Sequence, residues 1–360
     1  MSKDQIKHIS RNVQQRLFPI PVGVIGGYHG GNLGDMALGK SVIDRLTANH
    51  IRSGLQTIYN LEKWPLAKKA IVGGGAVGYA DSLSRVAKRY KGNYQNVALL
   101  GVDFNETSYP QDCLDLIRNA AFVSGRSKVQ ADKLKEITGR EVVYNHPDIA
   151  FSLINDYCEM QRKAQSPTKK KMLVNVVPLY ADIKDGVISS VERYRAERPE
   201  LYQNFDLMHQ SYKQIIRDLV NEALQQGHVV ESIAFTPADR DYAMHILEGL
   251  PVKHHAYHSE VDKMIKYMAT ADWIVATRFH ATIFALKLGV KLSPIAYASK
   301  NERMLEELGV DRSTFLSTGD LAGGNTKALR PVKVESEKIN SWEKNTVELI
   351  DLCIKQLYQK

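Results

Sequence analysis

The stretch Gly23–Leu46, GVIGGYHGGNLGDMALGKSVIDRL, sets two readings of the fold against each other. Its segment Gly34–Ser41, GDMALGKS, fits G-x-x-x-x-G-K-[ST], the pattern of a phosphate-binding loop. Such a loop leaves its strand at once, and its Lys-Ser pair opens the helix so that backbone N–H groups wrap the phosphates. Here the apolar run VGVIGG ends near Gly27, seven residues before Gly34. From Asp35 the sequence already reads as a helix, with Asp35 as N-cap and Leu38, Val42 and Leu46 on one face. Lys40 and Ser41 then lie inside that helix, and no convincing acidic strand for Mg²⁺ follows. No G-x-G-x-x-G register exists within 26–34 either. What remains is GGYHGGNLGD, a glycine-dense strand-to-helix turn ending at a helix N-terminus, which favours an anionic or hydroxyl-bearing ligand. A second such turn, GGGAVGYAD (73–81), follows the strand KAIV.

Outward from these turns, short apolar runs alternate with helix-length segments. Strands are expected at 22–27, 55–60, 69–75, 96–102, 121–125 and 141–145, with helices at about 35–48, 80–91, 111–119 and 126–138. After the polar, lysine-rich stretch 157–171, which reads as a linker, the rhythm restarts. Strands follow at 172–178, 229–235, 252–257, 272–276 and 290–296, and helices at 207–226, 239–248, 260–270, 279–288 and 300–308. The βαβ order predicts α/β architecture: two Rossmann-like, doubly wound domains over 1–165 and 166–334, facing a cleft, with an amphipathic C-terminal helix at 335–360. Doubly wound sheets bind ligand at the carboxyl ends of their strands, so the residues just after the strands become the candidates.

Bulk properties narrow the function classes. Among the 360 residues, 44% are hydrophobic and 24% charged, an ordinary balance for a soluble globular protein. No apolar run approaches the ~20 residues that span a bilayer, and the N-terminus lacks the apolar core of a secretory signal. Three dispersed cysteines form neither a disulfide framework nor a metal motif, which points to a reducing cytoplasm. The net charge of +8 comes without a long basic block, the longest run being Lys169–Lys171, so no nucleic-acid partner is expected. In residues 3–17, Ile6, Ile9, Val13 and Leu17 recur at helical spacing beside Lys3, Lys7, Arg11 and Arg16. That helix either lies on an anionic membrane surface or packs on the domain it precedes.

The most informative stretch is 272–310. WIVAT reads as a buried strand and HATIFALKLG as the next helix, which places Arg278 and His280 where strand gives way to helix. Arg278 offers a planar fork for carboxylate or phosphate, and His280 suits proton transfer. Lys300 opens the following helix and supplies a second cation. The run KHHAYH (253–258) suggests a metal set but reads better as a strand and loop.

Together GGYHGGNLGDMAL, GGGAVGYAD, VSGRSKVQADKLKEI with HPDIAF, and TRFHATIFALKLGVKLSPIAYASKNERMLEELG resemble, in order, the polysaccharide pyruvyl transferase family, over about residues 22–310. The resemblance implies a glycosyltransferase-B-like pair of domains. It also implies transfer of pyruvate from phosphoenolpyruvate, the donor substrate, to a sugar or lipid-linked oligosaccharide acceptor, commonly as a cyclic ketal of a cell-surface polysaccharide. Under it, Arg278, Lys300 and Arg126 hold phosphoenolpyruvate and His280 is the acid. Asp35 or His29 orients or deprotonates the acceptor, beside Gly31, Asn32, Gly74 and Gly75. The chemistry demands neither metal nor cofactor. Val177-Pro178-Leu179 departs from the family, many of whose members carry an arginine or another polar signature there. Two rivals stay open: a sugar-nucleotide glycosyltransferase of the same architecture, and a non-catalytic member of the polysaccharide machinery. Localisation is expected in the cytoplasm, at the inner face of the membrane if the N-terminal helix binds there. Oligomeric state is left open.

Overall fold

Runs rich in valine, isoleucine and leucine become parallel strands buried on both faces, as expected where helices cover each side of a sheet. The computed structural model describes residues 3–104, 106–126, 128–140, 144–145, 147–153, 170–184, 187–197, 199–327, 329–332 and 334–359. Most of the expected linker at 157–171 lies outside these residues, as do 141–143 of the strand expected at 141–145.

The chain forms two compact units, residues 1–154 with 340–360, and residues 155–339. In the first, β1 (Val22–Gly26), β2 (Ser53–Thr57), β3 (Lys69–Gly75), β4 (Val97–Val102), β5 (Phe122–Gly125) and β6 (Tyr144–Asn145) form one parallel sheet in the order β2-β1-β3-β4-β5-β6. Helices Leu33–Ala48, Ala80–Arg89, Gln111–Asn119 and Lys128–Thr138 fall where the sequence periodicity places them. The strand expected at 55–60 stops at Thr57, because Ile58 and Leu61 bury themselves at the three-residue spacing of a 3₁₀ helix, Ile58–Lys63. One local reading is corrected. The N-cap of Leu33–Ala48 is Asn32, whose Oδ1 accepts from Gly34 N at 2.9 Å, and Asp35 sits in the first turn. Asparagine in an extended conformation reaches the second amide of the helix as well as aspartate would, so the cap moves three residues earlier.

The C-terminal helix Ser336–Tyr358 joins this unit from residue 340. Ile350, Cys353 and Leu357 are buried, Arg45 pairs with Asp351, and Lys69 Nζ donates to Leu357 O at 2.7 Å.

The second unit carries β7 (Lys171–Asn175), the antiparallel hairpin β8 (Ala181–Lys184) and β9 (Val187–Ser190), then β10 (Val229–Ser232), β11 (Lys253–His254), β12 (Trp273–Ala276), β13 (Lys291–Ala296) and β14 (Leu316–Ser317). Its parallel sheet runs β11-β10-β7-β12-β13-β14. Helices Phe205–Gln225, Pro237–Ile246, Val261–Met268, Phe279–Leu288 and Ser299–Glu307 alternate with these strands. The hairpin and β14 carry too few residues for a periodic signal, and the sequence reading did not contain them.

Each sheet has one topological switch point, where successive connections leave in opposite directions: β1/β3 in the first unit and β7/β12 in the second. The two glycine-rich turns follow β1 and β3. Arg278 follows β12.

A buried histidine makes the second unit sensitive to acid. His209, on Phe205–Gln225, meets Tyr242 Oη at 2.8 Å through Nδ1. Burial drives its pKa down from 6.5 to about 4, outweighing the Leu179 carbonyl and Asp206, which raise it. Between those values the unfolded chain binds the proton and the folded chain does not. Stability therefore falls as pH drops through this window, by about 3 kcal/mol at its lower end. Chemical denaturation of the wild type should show that loss and H209Q a smaller one; equal pH slopes would remove His209 as the cause.

Candidate functional site

At the first switch point, the P-loop letters prove to be internal helix chemistry. Lys40 Nζ pairs with Asp44 at 2.9 Å, and Ser41 Oγ donates to Ala37 O at 3.0 Å. The preceding turn shapes the strand tips instead. His29 N donates to Gly27 O at 2.9 Å, and His29 Nδ1 accepts from Gly31 N at 3.0 Å, so the ring is oriented by its own loop. Asn32 is occupied as the N-cap. Gly74 and Gly75 have φ of +76° and +89°, conformations that residues with a Cβ rarely adopt. A Cβ on Gly74 would lie 2.4 Å from Leu38 Cβ, so this glycine lets helix Leu33–Ala48 approach β3. A Cβ on Gly75 would lie 3.2 Å from Arg126 Nη2 and 3.7 Å from Asp35 Oδ1, so both charged groups stand close to this glycine.

Arg126 is buried and ion-paired to Asp103 at 2.6 Å and Asp148 at 3.1 Å. Its charge is thus matched by carboxylates of its own unit, beside Gly75.

The sequence reading missed two aromatic residues on this edge. Tyr59, just beyond β2, and Tyr79, just beyond the β3 turn, are 57% and 47% exposed. The rings of Tyr59 and His29 lie 5.5 Å apart. Burial, and then the neighbouring Asp35 and Tyr79, raise the Tyr59 pKa. In the sheet order β2-β1-β3, Tyr59, His29 and Tyr79 follow three adjacent strands. Their signal was an aromatic residue just past a strand, which periodicity alone does not separate from core.

At the second switch point, Asn175 ends β7 and ties three strand tips together. Its Oδ1 accepts from Arg278 N at 2.9 Å, its Nδ2 donates to Ile233 O at 3.3 Å, and its backbone O accepts from Thr277 N at 3.1 Å. Arg278 is the N-cap residue of Phe279–Leu288. Its Nε donates to Asp239 at 3.1 and 3.2 Å, while Nη2 donates to Asp239 Oδ1 at 2.5 Å and Thr236 Oγ1 at 2.9 Å. Burial disfavours the charge on Arg278, but Asp239 outweighs it and holds the guanidinium charged. Asp239 is fully buried and also accepts from Phe235 N and Thr236 N, completing the capping box of Pro237–Ile246. Nε and Nη2 of Arg278 are therefore held by the protein, which sets the guanidinium's position and leaves Nη1 as the donor group with no hydrogen bond among the described residues. Neither Asp239 nor Asn175 figured in the sequence reading, because their roles depend on contacts 39 and 103 residues away.

His280 stands in the first turn of the same helix, 9% exposed, its ring edge-on to Phe279 at 5.4 Å. Lys300, at the start of Ser299–Glu307, holds Nζ 5.2 Å from the Phe279 ring centre and 5.7 Å from that of Tyr297. Asn301 Nδ2 donates to Thr277 O at 3.3 Å, binding that helix to the same strand end. Arg278, His280 and Lys300 thus gather at the carboxyl ends of β12 and β13, beside a helix N-terminus whose dipole favours an anion.

The departing segment 177–179 lies on this edge too. Val177 and Leu179 are buried, and Leu179 and Tyr180 hold φ of 45° and 64°, a strained pair for residues with side chains. Tyr180 Oη donates to Tyr297 O at 3.3 Å. A tyrosine therefore spans from β7 to the residue that Lys300 overlies.

The histidines of KHHAYH are dispersed. His254 Nδ1 meets Ser232 Oγ at 2.8 Å, whereas His255 pairs with Glu231, which also accepts from Tyr267. Among the described residues, no group of three or more His, Cys, Asp and Glu could hold a metal ion.

The sequence matches the polysaccharide pyruvyl transferase family over residues 32–299, most of its length, and the chain belongs to that family. It is accordingly an enzyme of this type. No curated protein matches the sequence. Among solved structures, the UDP-GlcNAc 2-epimerase from Neisseria meningitidis bound to UDP-GlcNAc is similar, with 9% identity over 93% of this chain and 99% of that one and a TM-score of 0.53. The UDP-GlcNAc 2-epimerase from Methanocaldococcus jannaschii has 9% identity over 91% of this chain and 98% of that one, with a TM-score of 0.48. The wall teichoic acid polymerase TagF has 10% identity over 99% and 98%, with a TM-score of 0.46. The fold is α/β with two parallel sheets, a GT-B-type architecture shared with the Neisseria epimerase. Among the described residues no helix is long and apolar enough to cross a membrane.

Proposed function

We propose that this enzyme transfers pyruvate from phosphoenolpyruvate to a sugar of a cell-surface polysaccharide or its lipid-linked precursor, closing a ketal. The observation that carries the reading is the cluster of Arg278, His280 and Lys300 at one strand edge, the first two within the residues that match the family and Lys300 immediately after them. Phosphoenolpyruvate brings a carboxylate and a phosphate, which the Arg278 Nη1 edge, Lys300 and the helix N-terminus attract. His280, protonated, delivers its proton to the methylene carbon, and C2 becomes electrophilic. One sugar hydroxyl adds at C2, inorganic phosphate leaves with its C–O bond electrons, and a second hydroxyl closes the ketal, its proton passing to the departed phosphate. Cytoplasmic phosphoenolpyruvate is the natural donor pool.

The acceptor, in this reading, lies on the glycine-rich edge of the first unit. Asp35 takes a hydroxyl proton and His29 orients the sugar, while Tyr59 and Tyr79 offer ring faces to its C–H groups. Y59A should raise the acceptor KM about five- to tenfold, as loss of one aromatic contact would, with the phosphoenolpyruvate KM unchanged. An unaltered acceptor KM would remove Tyr59 from the site.

The deciding experiment measures phosphate release from phosphoenolpyruvate across a panel of sugar acceptors, with product masses. A product heavier than its acceptor by one ketal-linked pyruvate supports the proposal. Phosphate release with no acceptor in the panel modified, or thermal protection by a nucleotide sugar but not by phosphoenolpyruvate, would sink it.

A further inference from the structure

The N-terminal helix Lys3–Leu17 docks on its unit by its polar side. Gln15 is buried, its Nε2 donating to Leu55 O at 3.0 Å and its Oε1 accepting from Gln56 Nε2 at 2.9 Å. Asn12 Nδ2 and Arg16 Nη2 both donate to Lys63 O, at 3.1 and 2.6 Å. Gln15 lies about 200° around the helix from Val13, so anchoring the polar face turns the apolar one away. Ile6, Ile9, Val13, Leu17 and Phe18 are accordingly 54%, 50%, 50%, 68% and 63% exposed. Scattered exposed leucines need no explanation, but an apolar stripe along three turns, held outward by hydrogen bonds, does.

Positive charge accompanies the stripe. Arg16 and Lys63 are exposed beside it, and Arg52, also exposed, donates to Pro19 O just past the helix end at 2.9 Å. The whole chain carries a net charge of +8. An apolar face flanked by lysine and arginine complements an anionic lipid surface, in which the side chains enter the acyl boundary and the cations meet headgroups. A purely apolar protein face would leave this cationic rim without counter-charge, whereas anionic headgroups supply it.

We infer that residues 3–18 are an interfacial anchor by which the enzyme binds anionic membrane without crossing it. The inference does not depend on the proposed acceptor chemistry. It is tested by co-sedimentation of the full chain with vesicles of phosphatidylglycerol and phosphatidylcholine, or of phosphatidylcholine alone, with particle mass in solution measured in the same buffer. The wild type should bind the anionic vesicles and lose that binding at high salt. I9E/V13E should lower the partition at least tenfold and K63E severalfold, each with an unchanged thermal unfolding curve, because the altered side chains are exposed. Absence of anionic-vesicle binding, equal binding by I9E/V13E, or a wild-type dimer that I9E/V13E converts to monomer would each overturn it, the last by showing a second copy on the stripe.

Discussion

H280A should lower turnover by about 10²–10⁴-fold, the range contributed by a positioned general acid, while the protein still folds. His280 stands in the first turn of the buried helix Phe279–Leu288, four residues past the end of β12, and packs edge-on against Phe279. Alanine is a good helix former, so removing the ring leaves the helix and the backbone contact between Arg278 N and Asn175 intact. Phosphoenolpyruvate should consequently still raise the melting temperature of the variant, since the proposed anion contacts belong to Arg278 and Lys300. Loss of turnover with retained binding separates chemistry from recognition. Near-normal turnover would take His280 out of the catalytic role, and loss of binding with turnover would move it to the anion pocket.

D239A should cost about 3–5 kcal/mol of stability, the largest structural effect expected in the second unit. The substitution strips a buried guanidinium of its counter-charge and uncaps Pro237–Ile246. Asp239 also accepts two backbone amides, so the loss leaves buried donors without partners, not only a missing ion pair. D239N retains one acceptor oxygen and should fall between the two. Urea unfolding of both variants measures the effect. The same change should raise the phosphoenolpyruvate KM of whatever protein remains folded, because the Arg278 fork is then no longer fixed. A loss under 1 kcal/mol would mean that the Arg278–Asp239 contact is not what organises this edge.

The dismissal of the P-loop was legible in the sequence, because a lysine and serine that arrive well after a strand has ended cannot cradle phosphate at its tip. Lys40 and Ser41 bond within their own helix, as that spacing requires. The cap was misread by three residues, since Asn32 and Asp35 are chemically equivalent candidates and only the backbone angles distinguish them. Arg278, His280 and Lys300 could be placed together from the strand–helix rhythm alone, because the carboxyl end of a parallel strand and the following helix N-terminus are neighbours by connectivity.

By itself, then, the sequence determined the alternation of strands and helices, the two glycine-rich turns and the cationic strand edge, all of which follow from local periodicity and from residues close in the chain. The tertiary structure decided what those residues are bonded to. It fixed Arg278 on Asp239, surrounded Arg126 with Asp103 and Asp148, brought Tyr59 against His29, and turned the apolar face of Lys3–Leu17 outward by anchoring Gln15. Those facts rest on sheet order and on contacts between distant segments, which no window of local sequence contains.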